Sequence, residues 1–260
     1  FVTSPRIQPL LSVMFDSNTT FQPLFSVLIA QYNNAQYLKE CIESVYAQTY
    51  SYWEIIIVDD KSTDNSETIY RELESDSRIH IYKNERNKGC GFTKRRCVEM
   101  ANGEICGFLD PDDTLTPNAL QWHAEVHVNH SDVSVCFSNC NNCDKDLNII
   151  NVHKVSHFEE GQNFLTSKSM GTPTHFTSFK SSYYQQTPGI ACYHSGIDQD
   201  LNLKLEEVGK IYVLDQMTYN WRFTGASLSR GDDQTECWYW NIKVLNDACE
   251  RRNIDSKEWL

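Results

Sequence analysis

The chain has 260 residues, with 23 Lys and Arg against 35 Asp and Glu, for a formal net charge of -12. That balance excludes a nucleic-acid surface, which needs clustered cations to displace counterions from phosphates, so any bound phosphate has to be met locally, with a cation. The ten cysteines lie mostly within apolar runs, as Cys106 and Cys136 do, and read as small core residues with reduced thiols. No apolar stretch approaches the roughly 18 residues that a membrane span needs, and the first residues lack the basic start and apolar centre of a signal peptide. A cytoplasmic protein is expected, with work at the cytoplasmic face of a membrane left open.

Residues 1–23 mix Pro, Ser, Asn and scattered apolar residues without a period and read as an arm. From Phe25 the pattern sharpens. Phe25 to Ala30 is a short β-rich run, after which Leu38, Cys41, Ile42 and Val45 recur at helical spacing. Trp53 to Val58 is almost continuously apolar, as suits a strand covered on both faces of a parallel sheet, and it ends at Asp59 and Asp60. Asp64 and Glu67 have the side chains of a capping box ahead of a helix with Ile69, Tyr70 and Leu73, and Ile79 to Tyr82 follows as a strand. A helix over Thr93 to Ala101 leads into a buried strand, Ile105 to Leu109, closed by Asp110-Pro111-Asp112-Asp113. Thr116 is expected to cap a helix with Pro117 at its first position. Val133 to Phe137 reads as a strand and Asn139 to Asn148 as a polar turn before another. Beyond Gly161 the periodicity weakens until Leu201, Leu205 and Val208 form a helical stripe stopped by Gly209. Glu236 to Arg252 reads as a last helix. The alternation predicts an α/β fold with a doubly wound, mostly parallel central sheet and flanking helices, whose ligands sit outside the carboxyl ends of the strands. Both acidic clusters stand at such ends.

Three carboxylates within four positions repel one another, which makes sense where a cation or a hydrogen-bond donor lies between them. A divalent metal held by one or two of them keeps positions open for phosphate oxygens and neutralises charge on a diphosphate leaving group. A plain turn built by Pro111 and the Asp residues is the structural alternative.

Gln31-Tyr32-Asn33-Asn34, Val58-Asp59-Asp60-Lys61-Ser62-Thr63-Asp64, Gly103-Glu104 leading to Phe108-Leu109-Asp110-Pro111-Asp112-Asp113, and Asp198-Gln199-Asp200-Leu201 together resemble family 2 glycosyltransferases with the GT-A fold. The resemblance covers roughly residues 25–230, and four motifs in order at their expected structural places are specific. It implies a GT-A domain over 24–230, with a nucleotide-binding half (24–115) and an acceptor and catalytic half (116–230) forming a small C-terminal acceptor lobe, then a C-terminal helix over 231–260.

By position, the resemblance implies that Asp60 accepts a hydrogen bond from the donor's pyrimidine ring, that Gln31 and Tyr32 line the base pocket, and that Arg95 reaches the base or phosphates. It also implies that Asp110 and Asp112 form the metal-and-ribose motif with Asp113 sharing the ion, and that Asp198 is the general base. Arg222, after Tyr219-Asn220-Trp221 and before Ser227, would pair with the diphosphate. Gln31 stands where Thr is more usual, and Thr224 where many members carry a His. The implied reaction is transfer of a hexosyl or N-acetylhexosaminyl group from a nucleotide sugar, a UDP-sugar with Mn or Mg, to an acceptor hydroxyl with inversion. The acceptor would be a polysaccharide, lipid-linked glycan or protein, with peripheral membrane association possible on this reading.

Other side-chain groups point elsewhere. Arg95 can simply lie on the charged face of Lys94-Arg95-Arg96, and Asp198 can cap a helix beginning near Gln199. Cys136, Cys140, Cys143 and His153 could form a zinc site, but Cys136 falls in an expected strand and the spacings lack a second close ligand pair. His123 and His127 lack a Glu directly after the first His and read as a helix surface. Trp238, Tyr239 and Trp240 either pack a helix or border a sugar groove. The rival functions are a sugar nucleotidyltransferase, which needs a Gly-rich basic loop where Gln31 to Asn34 stand, and a non-catalytic nucleotide-binding module.

Overall fold

A computed structural model describes residues 22–158, 162–165, 176–224 and 234–256. The expected arm over residues 1–23 lies almost wholly outside them, as do Gly161 and Ser227.

The elements run in the order β1 (Phe25–Gln31), α1 (Ala35–Tyr46), β2 (Trp53–Asp59), α2 (Ser66–Leu73), β3 (Ile79–Lys83), α3 (Cys90–Met100), β4 (Ile105–Phe108), β5 (Thr114–Leu115), α4 (Ala119–Asn129), β6 (Val133–Cys143), β7 (Ile149–His153), β8 (Ser178–Lys180), α5 (Ser181–Tyr184), α6 (Ile197–Glu206), β9 (Lys210–Arg222) and α7 (Gln234–Arg251). Across the sheet the strands lie β3-β2-β1-β4-β8-β6-β9-β5, with β7 beside β6. The first four are parallel. The chain reaches β4 only after crossing back over β1, so the carboxyl ends of β1 and β4 open at a topological switch point, where ligands of such sheets bind. Beyond β4 the sheet is mixed: β8 is antiparallel to β4 and β6, while β6 and β9 run parallel.

Alternation along the parallel strands divides the core into two layers. Val27, Ile29, Ile55 and Ile57 pack with Leu38, Cys41, Ile42 and Val45 of α1 and with Leu120 and Ala124 of α4. Leu28, Ile56 and Val58 face the other way, onto Cys97 of α3 and Leu201 and Leu205 of α6. All seven residues of β2 are buried, which is why its sequence runs apolar without alternation. Each isoleucine so covered contributes roughly 1.5–3 kcal/mol by removal from water. This core therefore fixes the strand ends from which the acidic residues project.

Two expected caps shift. Asn65, not Asp64, stands at the N-cap of α2, while Asp64 accepts from Ala35 N at 2.8 Å and Ser66 N at 3.1 Å and so ties α1 to α2. Asn118 precedes α4, and the Thr116 hydroxyl donates to Met217 O at 2.8 Å. His123 and His127 are 0% and 4% exposed rather than on a helix surface. Their Nδ1 and Nε2 atoms, respectively, lie 2.7 and 2.9 Å from Ser178 Oγ, so one hydroxyl of β8 serves both rings. Burial depresses the pKa of both, to about 3 for His127, where Lys180 adds to the effect. All ten cysteines are free thiols. Cys140 faces His153 across the β6–β7 ladder, yet among the described residues no group of three or more His, Cys, Asp or Glu side chains is placed to hold a metal ion.

Candidate active site

The loops after β1 and β2 interlock. Asn33 and Lys61 adopt left-handed backbone, with φ of 54° and 67°, a conformation that asparagine tolerates better than most residues. Asn33 Oδ1 accepts from Thr63 N at 2.8 Å, and Ser62 Oγ accepts from Asn33 N at 3.0 Å. Asp59 and Asp60 take different directions from one strand end. Asp59 accepts from Ser62 N and from the Tyr70 hydroxyl. Asp60 accepts from Asn84 Nδ2, Lys88 N and Gly89 N at 2.7–2.8 Å. Those bonds pin the turn into α3, where Gly89 has φ of 87°. Asp60 is thus part of the loop scaffold as well as the residue expected at the base.

Gln31 is fully buried, with Nε2 donating to Ser66 Oγ at 3.0 Å. Its side chain turns toward α2, whereas Tyr32 is 44% exposed at the strand end. Of the two residues expected at the base pocket, only Tyr32 is exposed at the strand end.

Helix α3 separates its two neighbouring cations. Arg95 Nε donates to Glu99 at 3.1 Å on the outer face, which is the charged-face alternative. Lys94 points inward, and its Nζ lies 2.8 Å from Asp198 Oδ1 and 3.4 Å from Asp110 Oδ1, 5.1 Å above the Phe108 ring. Burial alone would push its pKa down; Asp110 and Asp198 outweigh burial and hold it well above the ordinary lysine value. The approach of α3 to the segment before α6 is close: a Cβ on Gly91 would meet Ala191 O at 2.7 Å. Lys94 was legible in principle, since Cys90, Lys94 and Cys97 fall at the spacing of the inner face and Arg95 does not.

The Asp110 to Asp113 turn also divides its carboxylates. Asp110 and Asp112 are partly exposed, while Asp113 is 1% exposed. Asp113 accepts from Arg222 N at 2.6 Å and from the Tyr219 hydroxyl at 2.7 Å. Burial, then Asp112 and Asp110, raise its pKa well above the usual carboxylate value against these two bonds. Asp113, expected as a metal ligand, thus has both oxygens engaged in anchoring β9. Arg222 is likewise committed. Its guanidinium donates to Asp112 O at 2.6 Å, Lys145 O at 2.8 Å and Glu40 Oε2 at 2.5 Å, and it lies 4.7 Å from the centre of the Tyr37 ring. It latches the acidic turn to α1 and the β6–β7 turn instead of reaching for a diphosphate.

Asp198 lies in the first turn of α6, whose N-cap is the left-handed Gly196 and not Asp198 itself. Asp200 is fully buried and bonded to Lys204 Nζ at 2.6 Å and Ala191 N at 3.1 Å. Of the two, only Asp198 faces Lys94. Asp112 is partly exposed on the same turn as Asp110, and its chemistry would suit a hard cation, since one or two carboxylate oxygens leave most of such an ion's coordination to phosphate and water.

An open α/β sheet with carboxylates gathered at its switch point, and a further carboxylate from the second half of the chain, is the arrangement of a GT-A type fold. The chain belongs to glycosyl transferase family 2, whose sequence pattern matches residues 26–188. It is 30% identical over 257 residues to a chondroitin synthase of Pasteurella multocida strain Pm70, covering 97% of this chain and 26% of that protein. With a chondroitin synthase of Escherichia coli it shares 28% identity over 240 residues, covering 89% and 33%. It therefore spans about a third or less of the length of these relatives. The fold superposes on that of S. aureus TarS 1-349 with a TM-score of 0.68 at 20% identity, covering 86% of this chain and 64% of the other. The same TarS fragment in complex with UDP-GlcNAc gives 0.66 at 21% identity, covering 85% and 66%. Among the described residues no helix is long and apolar enough to cross a membrane.

Proposed function

We propose that this chain transfers a sugar from a UDP-sugar to a hydroxyl of a glycan acceptor with inversion, Asp198 serving as general base. The observation that carries the reading is the shared ion pair: Asp110 from the nucleotide half and Asp198 from the acceptor half meet on one ammonium. That contact supports a base that lies beside the donor aspartates. Names of relatives lend support, since chondroitin synthase and hyaluronan synthase are polysaccharide-making proteins, and TarS has been crystallised with UDP and UDP-GlcNAc.

The acceptor hydroxyl gives its proton to Asp198 as its oxygen attacks the anomeric carbon, because an alcohol is a poor nucleophile until that proton is drawn off. One bond forms at carbon while the bond to the diphosphate oxygen breaks on the opposite side, which inverts the centre and releases UDP. Asp60 accepts from the uracil N–H with its remaining acceptor capacity, Tyr32 covers the base, and Asp110 accepts from the ribose. Asp112 would hold a divalent cation, Mn or Mg, which when bound neutralises charge on the diphosphate. The loop from Gln31 to Asn34 has neither the glycines nor the basic residue of a triphosphate cradle, which disfavours nucleotidyl transfer.

The test compares wild-type protein with Asp198→Asn. Equal UDP affinity by calorimetry, with transfer to an oligosaccharide acceptor reduced on the order of 10²–10⁴-fold, is expected for loss of a general base. Normal transfer by Asp198→Asn would remove Asp198 from that role.

A further inference from the structure

Lys94 is a costly residue to place where it stands. Its side chain is 6% exposed, while its two carboxylate partners are 32% and 40% exposed. Desolvating an ammonium costs several kcal/mol even after relaxation, and an apolar side chain of similar volume at such a site is often neutral or stabilising by comparison. Packing is therefore a poor reason for a lysine on the inner face of α3, between Cys90 and Cys97. The direction of the charge supplies a better one. The aliphatic stem lies in the interior and the ammonium stands over Phe108, under two carboxylates that open to the cleft. Those carboxylates are 88 residues apart in sequence (198 minus 110) and belong to different halves of the chain.

We infer that Lys94 is the positioning residue for Asp198: its ammonium fixes the base carboxylate against the donor side of the cleft, so that one oxygen is held and the other is presented to the acceptor hydroxyl. The inference rests on the reading of Asp198 as the base. Asp198 depends on such a tether for its orientation. Among the described residues the one hydrogen bond of its carboxylate is to Lys94 Nζ. A partly exposed aspartate without that bond would sample several rotamers. Reaction rates depend on holding the reacting groups in near-attack geometry, where a displacement of about 1 Å can cost on the order of 100-fold. Asp110 keeps the ammonium itself in place by pairing with it from the other side, which couples the donor-binding turn to the base.

Three variants test the role: Lys94→Met, Lys94→Arg and Lys94→Met combined with Asp198→Asn. UDP affinity in the presence of Mn is measured by calorimetry, kcat and donor KM by transfer to an oligosaccharide, and folding by thermal melting. Lys94→Met is expected to lower kcat about 10–100-fold with UDP affinity changed less than about threefold, and Lys94→Arg, which keeps the charge, to recover part of the loss. In the Asp198→Asn background Lys94→Met should cost nothing further, because residues acting through one another are not additive. An unchanged kcat overturns the inference. So does an equal loss of UDP affinity, which would make Lys94 a donor-binding cation, or an undiminished effect in the Asp198→Asn background. Where Lys94→Met does not fold, Lys94→Arg alone and with Asp198→Asn carries the same comparison. Normal transfer by Asp198→Asn by itself is the separate sign that the base assignment, and this role with it, fails.

Discussion

Replacing Arg222 with alanine distinguishes a latch from a phosphate clamp. In the structure its side chain is 4% exposed while Glu40 is 52% exposed. Deleting the guanidinium takes a donor from the Asp112 and Lys145 carbonyls, at about 1–3 kcal/mol each where water does not replace it. The Tyr37 contact adds about 1 kcal/mol. The Glu40 pair adds at most about that much, since the carboxylate is released to solvent. The sum is about 3–8 kcal/mol, which for a chain of this size lowers Tm by at least about 6 °C. Differential scanning fluorimetry reads the shift, and calorimetry at a temperature where the variant is folded reads UDP affinity. A Tm within about 2 °C of wild type together with lost UDP binding would refute the latch and restore the diphosphate role that the resemblance implies.

The remaining expectations concern the other carboxylates and the buried histidines. Asp112→Asn should abolish the Mn dependence of UDP binding, whereas Asp113→Asn, whose amide can still accept from Arg222 N and donate to Tyr219, should keep it; calorimetry with and without chelator compares them, and the opposite pattern would return Asp113 to the metal. Asp60→Ala should lower uridine nucleotide affinity and Tm together, because Asn84, Lys88 and Gly89 lose their acceptor; an unchanged Tm would show that the turn into α3 does not depend on it. For His127 the folded-state pKa of about 3 lies below its ordinary 6.5. Its contribution is therefore fully present above pH 6.5 and lost as pH falls from there toward 3, at up to about 1.4 kcal/mol per pH unit. Urea unfolding at pH 7, 6 and 5 should show a shallower decline for His127→Gln than for wild type, and equal slopes would mean that the ring protonates freely in the fold.

The parts of the fold that depend on continuous burial were legible from composition alone. β1, β2 and β4 are apolar runs because both faces of the sheet are covered, and Leu38, Cys41, Ile42 and Val45 show the period of α1 because one face of that helix is buried. β5 and β8, of two and three residues, are too short to carry a period, and β9 changes register against β6, which breaks its alternation. Side-chain direction was the main gap at the site. Charge and spacing marked Asp110, Asp112 and Asp113, and the resemblance marked Arg95 and Arg222 while Lys94 counted only as part of a charged helix face; which way each side chain turns depends on partners distant in sequence. Asp113 turns inward because Tyr219 and Arg222 wait there, and Arg222 because Glu40 and Lys145 do. Arg95 and Lys94 differ by one step of about 100° around α3, enough to exchange solvent for the active site. His123 and His127 looked like surface residues since nothing local announces Ser178, 51 residues beyond His127.

The most direct measurement of the account is calorimetric titration of UDP, GDP, CDP and ADP into the purified protein, each with Mn and with chelator. UDP is expected to bind in a metal-dependent way and more tightly than the other three diphosphates. Absence of any diphosphate binding, or equal binding of all four without metal, would contradict this and leave only the fold in place.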